Sequence, residues 1–370
     1  MSRLSRYVLK QVILVTVFST VVLCVLILLV QSLRLVDLIV NRGVSLGYFF
    51  QLTILLTPRF LSIVVPIAVF AATLFSYNRL ITDSEIVVMR SAGLSQWALA
   101  RPGMLVATGC VILCFILNLW LVPLSYRNFR DLYVQTRSSV SAAFLREGQF
   151  TTIGDSITVY VRARTGTREL RGVLIQDDRN ANESWTIMAE QGALVETEEG
   201  PRIVVVRGNQ QQFKDGKLTM IEFDKYTLDV GLDAATAEDR WRQPQERYLP
   251  DLFNPGDSSS DVYYRGKLIA EGHNRIATSL LPLSYAIIGL SMLLSGTFSR
   301  RGQLRQLFIA IGFTGMVLVA SLAFHNLAGK IPVFNYAMYL NAGLPIVIGL
   351  AIMIRSGRMR RRTAGPAVAV

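Results

Sequence analysis

The residues able to do chemistry are few, and their densest group lies in residues 79–95, Arg-Leu-Ile-Thr-Asp-Ser-Glu-Ile-Val-Val-Met-Arg-Ser-Ala-Gly-Leu-Ser. Asp83, Glu85 and Arg90 put charge into a segment flanked by runs too apolar for a water-soluble fold. Thr82-x-x-Glu85 has the capping-box pattern, in which the Thr hydroxyl and the Glu carboxylate each satisfy a free amide at a helix start. Ile86, Val87 and Met89 continue the helix, and Gly93 closes it in the left-handed conformation that suits glycine. The spacing predicts a helix of about two turns, too short to hold in water alone. It needs a surface to rest on, and a partner at the membrane face is the natural one. The chemistry on offer is docking by charge and apolar contact.

Bond-making chemistry is absent from the usual motifs. No Gly-x-x-x-x-Gly-Lys-Ser/Thr loop occurs, which excludes ATP hydrolysis by the P-loop route, and there is no His-Glu-x-x-His or Gly-x-Ser-x-Gly. His273 and His325 stand in separate membrane-proximal segments, so neither a metal site nor a cofactor is expected. Cys24, Cys110 and Cys114 all fall in apolar runs, leaving the large polar segment without a disulfide framework. Cys110 and Cys114 share a helix face, where packing is the simplest role. The apolar runs hold no carboxylate for a proton relay, which argues against a proton-coupled carrier. A transporter built on this chain would draw its energy from another subunit.

The elements that position these residues are membrane helices. The chain has 370 residues, 51% hydrophobic and only 17% charged, the balance of a membrane protein. Residues 12–30, 60–78, 102–126, 276–299, 306–329 and 331–354 lack Asp, Glu, Lys and Arg. Each is long enough to cross ~30 Å of hydrocarbon. The first run is too long for a cleaved signal peptide and has no small-residue cleavage site behind it. The net charge of +12 invites a nucleic-acid reading, but its distribution excludes one. Residues 125–272 hold 19 Lys+Arg against 23 Asp+Glu, leaving 19 basic and 3 acidic residues (Asp37, Asp83, Glu85) for the rest. Most of those basic residues flank the spans on one side, which the positive-inside rule assigns to the cytoplasm. Both termini are basic and return to that side.

Between the third and fourth spans the period changes to two. Ile157-Thr-Val-Tyr-Val-Arg-Ala163 and Tyr226-Thr-Leu-Asp-Val230 alternate cleanly, with short runs at 173–176, 185–188, 193–196, 203–206 and 218–223. Gly166, Asp178-Arg-Asn180, Glu199-Gly-Pro201 and Gly208-Asn209 read as turns, and Lys214-Asp-Gly-Lys217 as a type I′ hairpin. Eight or nine short strands imply a small sandwich or jelly roll. The fold expected is a six-helix membrane protein with an inserted, jelly-roll-like all-β periplasmic domain. Its parts are transmembrane helices over 1–126 with a coupling helix at 82–93, the β domain over 140–235, and a return linker and helix over 236–272. Transmembrane helices over 273–356 and a basic tail over 357–370 complete it. Residues 43–58 read as an interfacial or partly inserted helix before span two, and 261–272 as an amphipathic helix feeding span four.

This arrangement, with Ser-Glu-Ile-Val-Val-Met…Ala-Gly between spans two and three, resembles the lipopolysaccharide export permeases of the LptF/LptG family. Arg6-Tyr7, Leu145-Arg-Glu-Gly-Gln-Phe150 and Glu271-x-His273-x-Arg275 carry the rest of the resemblance. Leu-x-x-Gly-Gln-Phe is more similar to the F-type subunit than to the G-type. The resemblance implies a bacterial inner-membrane permease subunit of an ABC-type exporter, with a G-type partner and a dimeric cytoplasmic ATPase. It also implies lipopolysaccharide as cargo, drawn from the membrane and passed through the β domain to periplasmic bridge proteins of jelly-roll type.

For the site residues, the resemblance assigns Asp83, Glu85, Ile86, Met89, Arg90, Gly93 and Leu94 to coupling with the ATPase. Glu85 then has two readings, capping residue or docking residue, and the stripe Ile86, Met89 and Leu94 faces either the membrane or a groove in the ATPase. A glycolipid's phosphates need cations, and Arg34, Arg42, Arg59 and Arg275 are available, since Arg holds phosphate bidentately. The plainer role for each is a snorkelling or headgroup contact, and the family's basic residue on span one falls on Arg34. In the β domain, Ile157, Val159 and Val161 are expected to face inward along the lipid path. A membrane scaffold whose β domain recruits partners has the same topology but no use for a coupling helix.

Overall fold

In hydrocarbon an apolar run must satisfy its amides internally, and a helix does this within one segment. The computed structural model describes residues 3–42, 46–140, 147–153, 157–165, 169–180, 183–197, 200–214, 217–229, 241–295 and 300–363. The helices are α1 (Arg3–Arg42), α2 (Leu46–Thr82), α3 (Glu85–Ser91), α4 (Gln96–Ile116), α5 (Val122–Val140), α6 (Leu249–Phe253), α7 (Ser259–Ser279), α8 (Leu281–Ser295), α9 (Arg300–Ala328) and α10 (Phe334–Thr363). Among the described residues six stretches are long and apolar enough to cross a membrane. They are Arg3–Gln31, Gly47–Thr82, Gln96–Leu132, Ser259–Ser295, Gln303–Ala328 and Phe334–Arg355, one for each run expected. The helix expected over 43–58 is present from Leu46 but is not distinct from span two, since α2 runs on through Pro58 and Pro66, and residues 43–45 lie outside the described residues. Each proline removes one amide donor, a loss that a membrane helix tolerates. The amphipathic lead-in to span four is present as α7, whose N-cap Ser258 accepts from the Asp261 amide at 3.2 Å.

Two units make up the chain. The helical unit holds Met1–Leu33, Thr53–Asn128 and Arg242–Val370, and the second holds Arg34–Leu52 and Phe129–Trp241. The helical unit is centred on α8, in which 12 of 15 residues are buried. Small residues allow this close approach: a Cβ on Gly349 of α10 would stand 2.4 Å from Ile287 of α8. Around α8 the core gathers Val8 and Val12 from α1, Phe70, Leu74 and Tyr77 from α2, and Leu99 and Val106 from α4. Beyond α4 a π-helical turn, Leu117–Leu121, turns Asn118 inward to donate to Ser279 Oγ at 2.9 Å.

The second unit carries one antiparallel sheet of six strands in sequence order. These are β1 (Phe150–Ile153), β2 (Ile157–Thr165), β3 (Glu169–Asn180), β4 (Glu183–Thr197), β5 (Gly200–Lys214) and β6 (Lys217–Asp229). The inserted all-β domain is as expected, but its strands are fewer and longer, and their order is a meander rather than the two Greek keys of a jelly roll. Runs 185–188 and 193–196 are two ends of β4, and β5 continues without a break through Gly208-Asn209. The pairing expected of the Lys214-Asp-Gly-Lys217 hairpin is borne out, since Lys214 and Lys217 are partners, while the turn residues 215 and 216 lie outside the described residues.

One row explains the misplaced breaks. Pairing omits Arg162–Gly172, Gly172–Glu190, Glu190–Arg207 and Arg207–Asp224, while the register on either side is unchanged. Gly172 (φ 62°) and Arg207 (φ 52°) are left-handed on this row. Across it the alternation changes phase: β3 buries Leu170 on one side and Val173 and Ile175 on the other, and β5 buries Ile203 and Val205, then Gln210. A phase jump at the same row of successive strands creases the sheet while its ladders keep their register.

Candidate functional site

The charged segment between the second and third spans forms the seven-residue α3, as its spacing predicts. The capping box does not form. Thr82 is the last residue of α2, and its hydroxyl donates back to the Asn78 carbonyl at 3.0 Å. Ser84, left-handed at φ 60°, stands at the N-cap without a side-chain cap bond. A Thr hydroxyl in a continuing helix finds the carbonyl one turn back more readily than an amide ahead. Glu85 is thus released from capping, and its Oε1 accepts from the Tyr7 hydroxyl of α1 at 3.4 Å. Its charge at the first turn also suits the helix dipole.

The C-terminal end closes as the glycine predicts. Gly93 has φ 87°, its amide donates to the Arg90 carbonyl at 3.0 Å, and the Leu94 amide reaches the Met89 carbonyl at 3.2 Å. That pair of bonds is a Schellman motif. Leu94 packs on the core that holds Met89, and both line a cleft of about 130 Å³ with Leu4, Val8 and Arg101.

The apolar stripe lies opposite to either expected direction. Ile86 and Met89 are only 1% and 5% exposed, packed in the core with Val8, Tyr77, Leu80 and Leu99 of the same chain. What α3 offers outward is Val87 and Val88, 46% and 66% exposed. Helical spacing carried this signal, because Glu85 and Val88 are three apart and share a face, as do Ile86 and Met89. Arg90 also turns inward: its Nη2 donates to the Leu294 carbonyl of α8 at 2.7 Å, beside Gln96 Nε2 at 3.2 Å. Asp83 stays on the surface, paired with Arg79 at 3.5 Å. Gln303 of α9 donates to Asn78 Oδ1 at 2.8 Å and ties α9 to the end of α2. Tyr7 was legible only as part of a motif, and the sequence around Gln96, Leu294 and Gln303 gave no sign of their contacts.

The cationic candidates divide. Arg275 neither snorkels nor faces lipid: its side chain is 4% exposed and fully engaged. It donates to Glu271 at 3.1 Å and to the carbonyls of Arg247, Pro244 and Gln245 at 2.8, 2.9 and 3.1 Å. Burial leaves a guanidinium no alternative to filling its donors, so this residue anchors the chain returning toward α7. Arg59 lies over the Tyr126 ring at 5.1 Å. The side chains of Arg34 and Arg42 lie outside the described residues. Ile157, Val159 and Val161 do face inward, at 2%, 0% and 0% exposure, within the core of the sheet. Among the described residues no three His, Cys, Asp or Glu side chains gather to hold a metal.

Residues 6–356 match the family described as lipopolysaccharide export system permease LptF/LptG. The chain belongs to that family. An LptF/LptG member with this hydropathy is a multi-pass inner-membrane protein. An uncharacterised protein of Rickettsia prowazekii (strain Madrid E) is 24% identical over 94% of this chain and 98% of its own length. The lipopolysaccharide export system permease protein LptF of Escherichia coli (strain K12) is 24% identical over 56% of this chain and 58% of its own length.

Proposed function

We propose that the chain is a permease subunit of an ABC-type lipopolysaccharide exporter, driven by a separate cytoplasmic ATPase dimer that docks on α3. One observation carries this reading within the family. The helix between spans two and three fixes Ile86 and Met89 inside its own chain and leaves Glu85, Val87 and Val88 on the other side. A short helix held in this way offers a rigid acidic and apolar knob, and a groove lined by cations and apolar side chains fits it. Asp83 lies beside the knob, while Arg90, Gly93 and Leu94 hold its geometry. The positive-inside charge pattern supports a cytoplasmic position for α3 and a periplasmic one for the sheet.

The cargo is lipopolysaccharide, taken from the inner membrane and passed through the β domain toward periplasmic bridge proteins. Arg34 is the cation on span one for its phosphates, and Ile157, Val159 and Val161 line the route of its acyl chains. Those three residues are closed core, so the sheet must open for acyl chains to reach them. The partner is a related G-type permease, with this chain as the F-type subunit, a reading supported by Leu145-x-x-Gly-Gln-Phe150 and by the similarity to LptF. The deciding experiment reconstitutes the purified complex in proteoliposomes and measures ATP-dependent release of lipopolysaccharide to an acceptor. ATPase co-purification with release is expected. A chain that recovers neither the ATPase nor release is a scaffold instead.

A further inference from the structure

The last four carbonyls of a helix lack partners within it and carry the negative end of its dipole. At the end of α8 one of these, the carbonyl of Leu294, receives two side-chain donors from the segment 200 residues earlier in the chain: Arg90 Nη2 at 2.7 Å and Gln96 Nε2 at 3.2 Å. Arg90 is in the last turn of α3, and Gln96 opens α4. Leu294 is buried at 1% exposure, and Leu293, Leu294, Ile86 and Met89 belong to one core cluster. A charged donor on a helix-terminal carbonyl inside such a core is strong and directional. The outward side of α3 is therefore joined through its inward side to the most buried helix of the unit.

We propose that Arg90 is a positioning residue that makes α3 and α8 move as one, carrying a displacement imposed on α3 into the centre of the helical unit. This rests on the docking role given to α3 above, but the clip itself is testable without it. Arg90→Met keeps the aliphatic stem and removes the donors, whereas Arg90→Lys restores one charged donor. In the purified full-length chain, Arg90→Met raises amide hydrogen exchange across residues 85–91 about tenfold, the scale of a lost charged hydrogen bond, and Arg90→Lys recovers part of it. Unchanged exchange in Arg90→Met overturns the clip whatever the activity. In the assembled transporter, lipopolysaccharide released per ATP hydrolysed falls about tenfold in Arg90→Met. Loss of assembly and hydrolysis in parallel with release, or an unchanged ratio, overturns the transmission role. A wild-type chain that recovers no ATPase overturns the function reading instead, and the exchange measurement still decides the clip.

Discussion

Glu85 accepts one long hydrogen bond, from Tyr7, and completes no capping box. The two roles its position suggested therefore do not compete. Glu85→Gln should leave α3 folded but remove the charge that meets a cationic partner, a change of about 2–5 kcal/mol at a buried interfacial pair. ATPase co-purification should fall sharply while the chain still inserts; full recovery would sink the docking role. Thr82→Ala should do little, within about 0.5 kcal/mol, because its exposed hydroxyl donates to a carbonyl of its own helix and accepts only a long 3.4 Å bond from Gln303 of α9. The inward and outward sides of α3 give a second contrast. Val88→Asp should insert and fold yet fail to retain the ATPase, since Val88 is exposed. Met89→Asp should destabilise the helical unit itself by burying an unpaired carboxylate. Thermal melts and co-purification of the two variants separate these outcomes, and identical behaviour would contradict the orientation of α3.

Arg275 shows how an element is held by carbonyls rather than by charge alone. It gathers three backbone oxygens of residues 244–247 and the carboxylate of Glu271 onto α7. Arg275→Met should cost about 3–5 kcal/mol, as when one member of a buried pair is removed. Arg275→Lys should rescue it poorly, because an ammonium cannot span those four acceptors as the planar guanidinium does. Melting of the purified full chain checks both. In the sheet, a Cβ at Gly208 would meet the Met188 carbonyl at 2.3 Å, next to the creased row. Backbone cannot yield as a side-chain tip does, so Gly208→Ala should loosen the β4–β5 ladder by about 1–3 kcal/mol. Faster limited proteolysis within residues 183–229 is the expected sign, and wild-type resistance would show that the ladder can shift.

For the whole molecule, charge asymmetry makes the clearest demand. A cysteine introduced at Asp215 should react with a membrane-impermeant label from outside, and one at Asp83 should not; the reverse pattern would invert the topology. If the sheet carries acyl chains, photocrosslinkers at Ile157, Val159 and Val161 should capture lipid during ATP turnover, and those at Thr158 and Tyr160 should not. Equal capture from both sets would remove the inward face as the route.

The uncharged runs, the basic flanks and the two-turn segment with its closing glycine were legible residue by residue. Span length, the number of spans and a Schellman turn depend on local composition and backbone preference, which the chain carries wherever it folds. Alternation in 157–161 likewise identified the buried face of β2. Tertiary structure decided the rest. The jump in alternation at residues 172, 190, 207 and 224 read as strand ends, because phase along one strand cannot reveal that its neighbours jump at the same row. The inward turn of Ile86 and Met89, and the grip of Arg90 on Leu294, depend on helices far apart in sequence. A periodic stripe marks which residues share a face, but only the packed partner determines what that face meets.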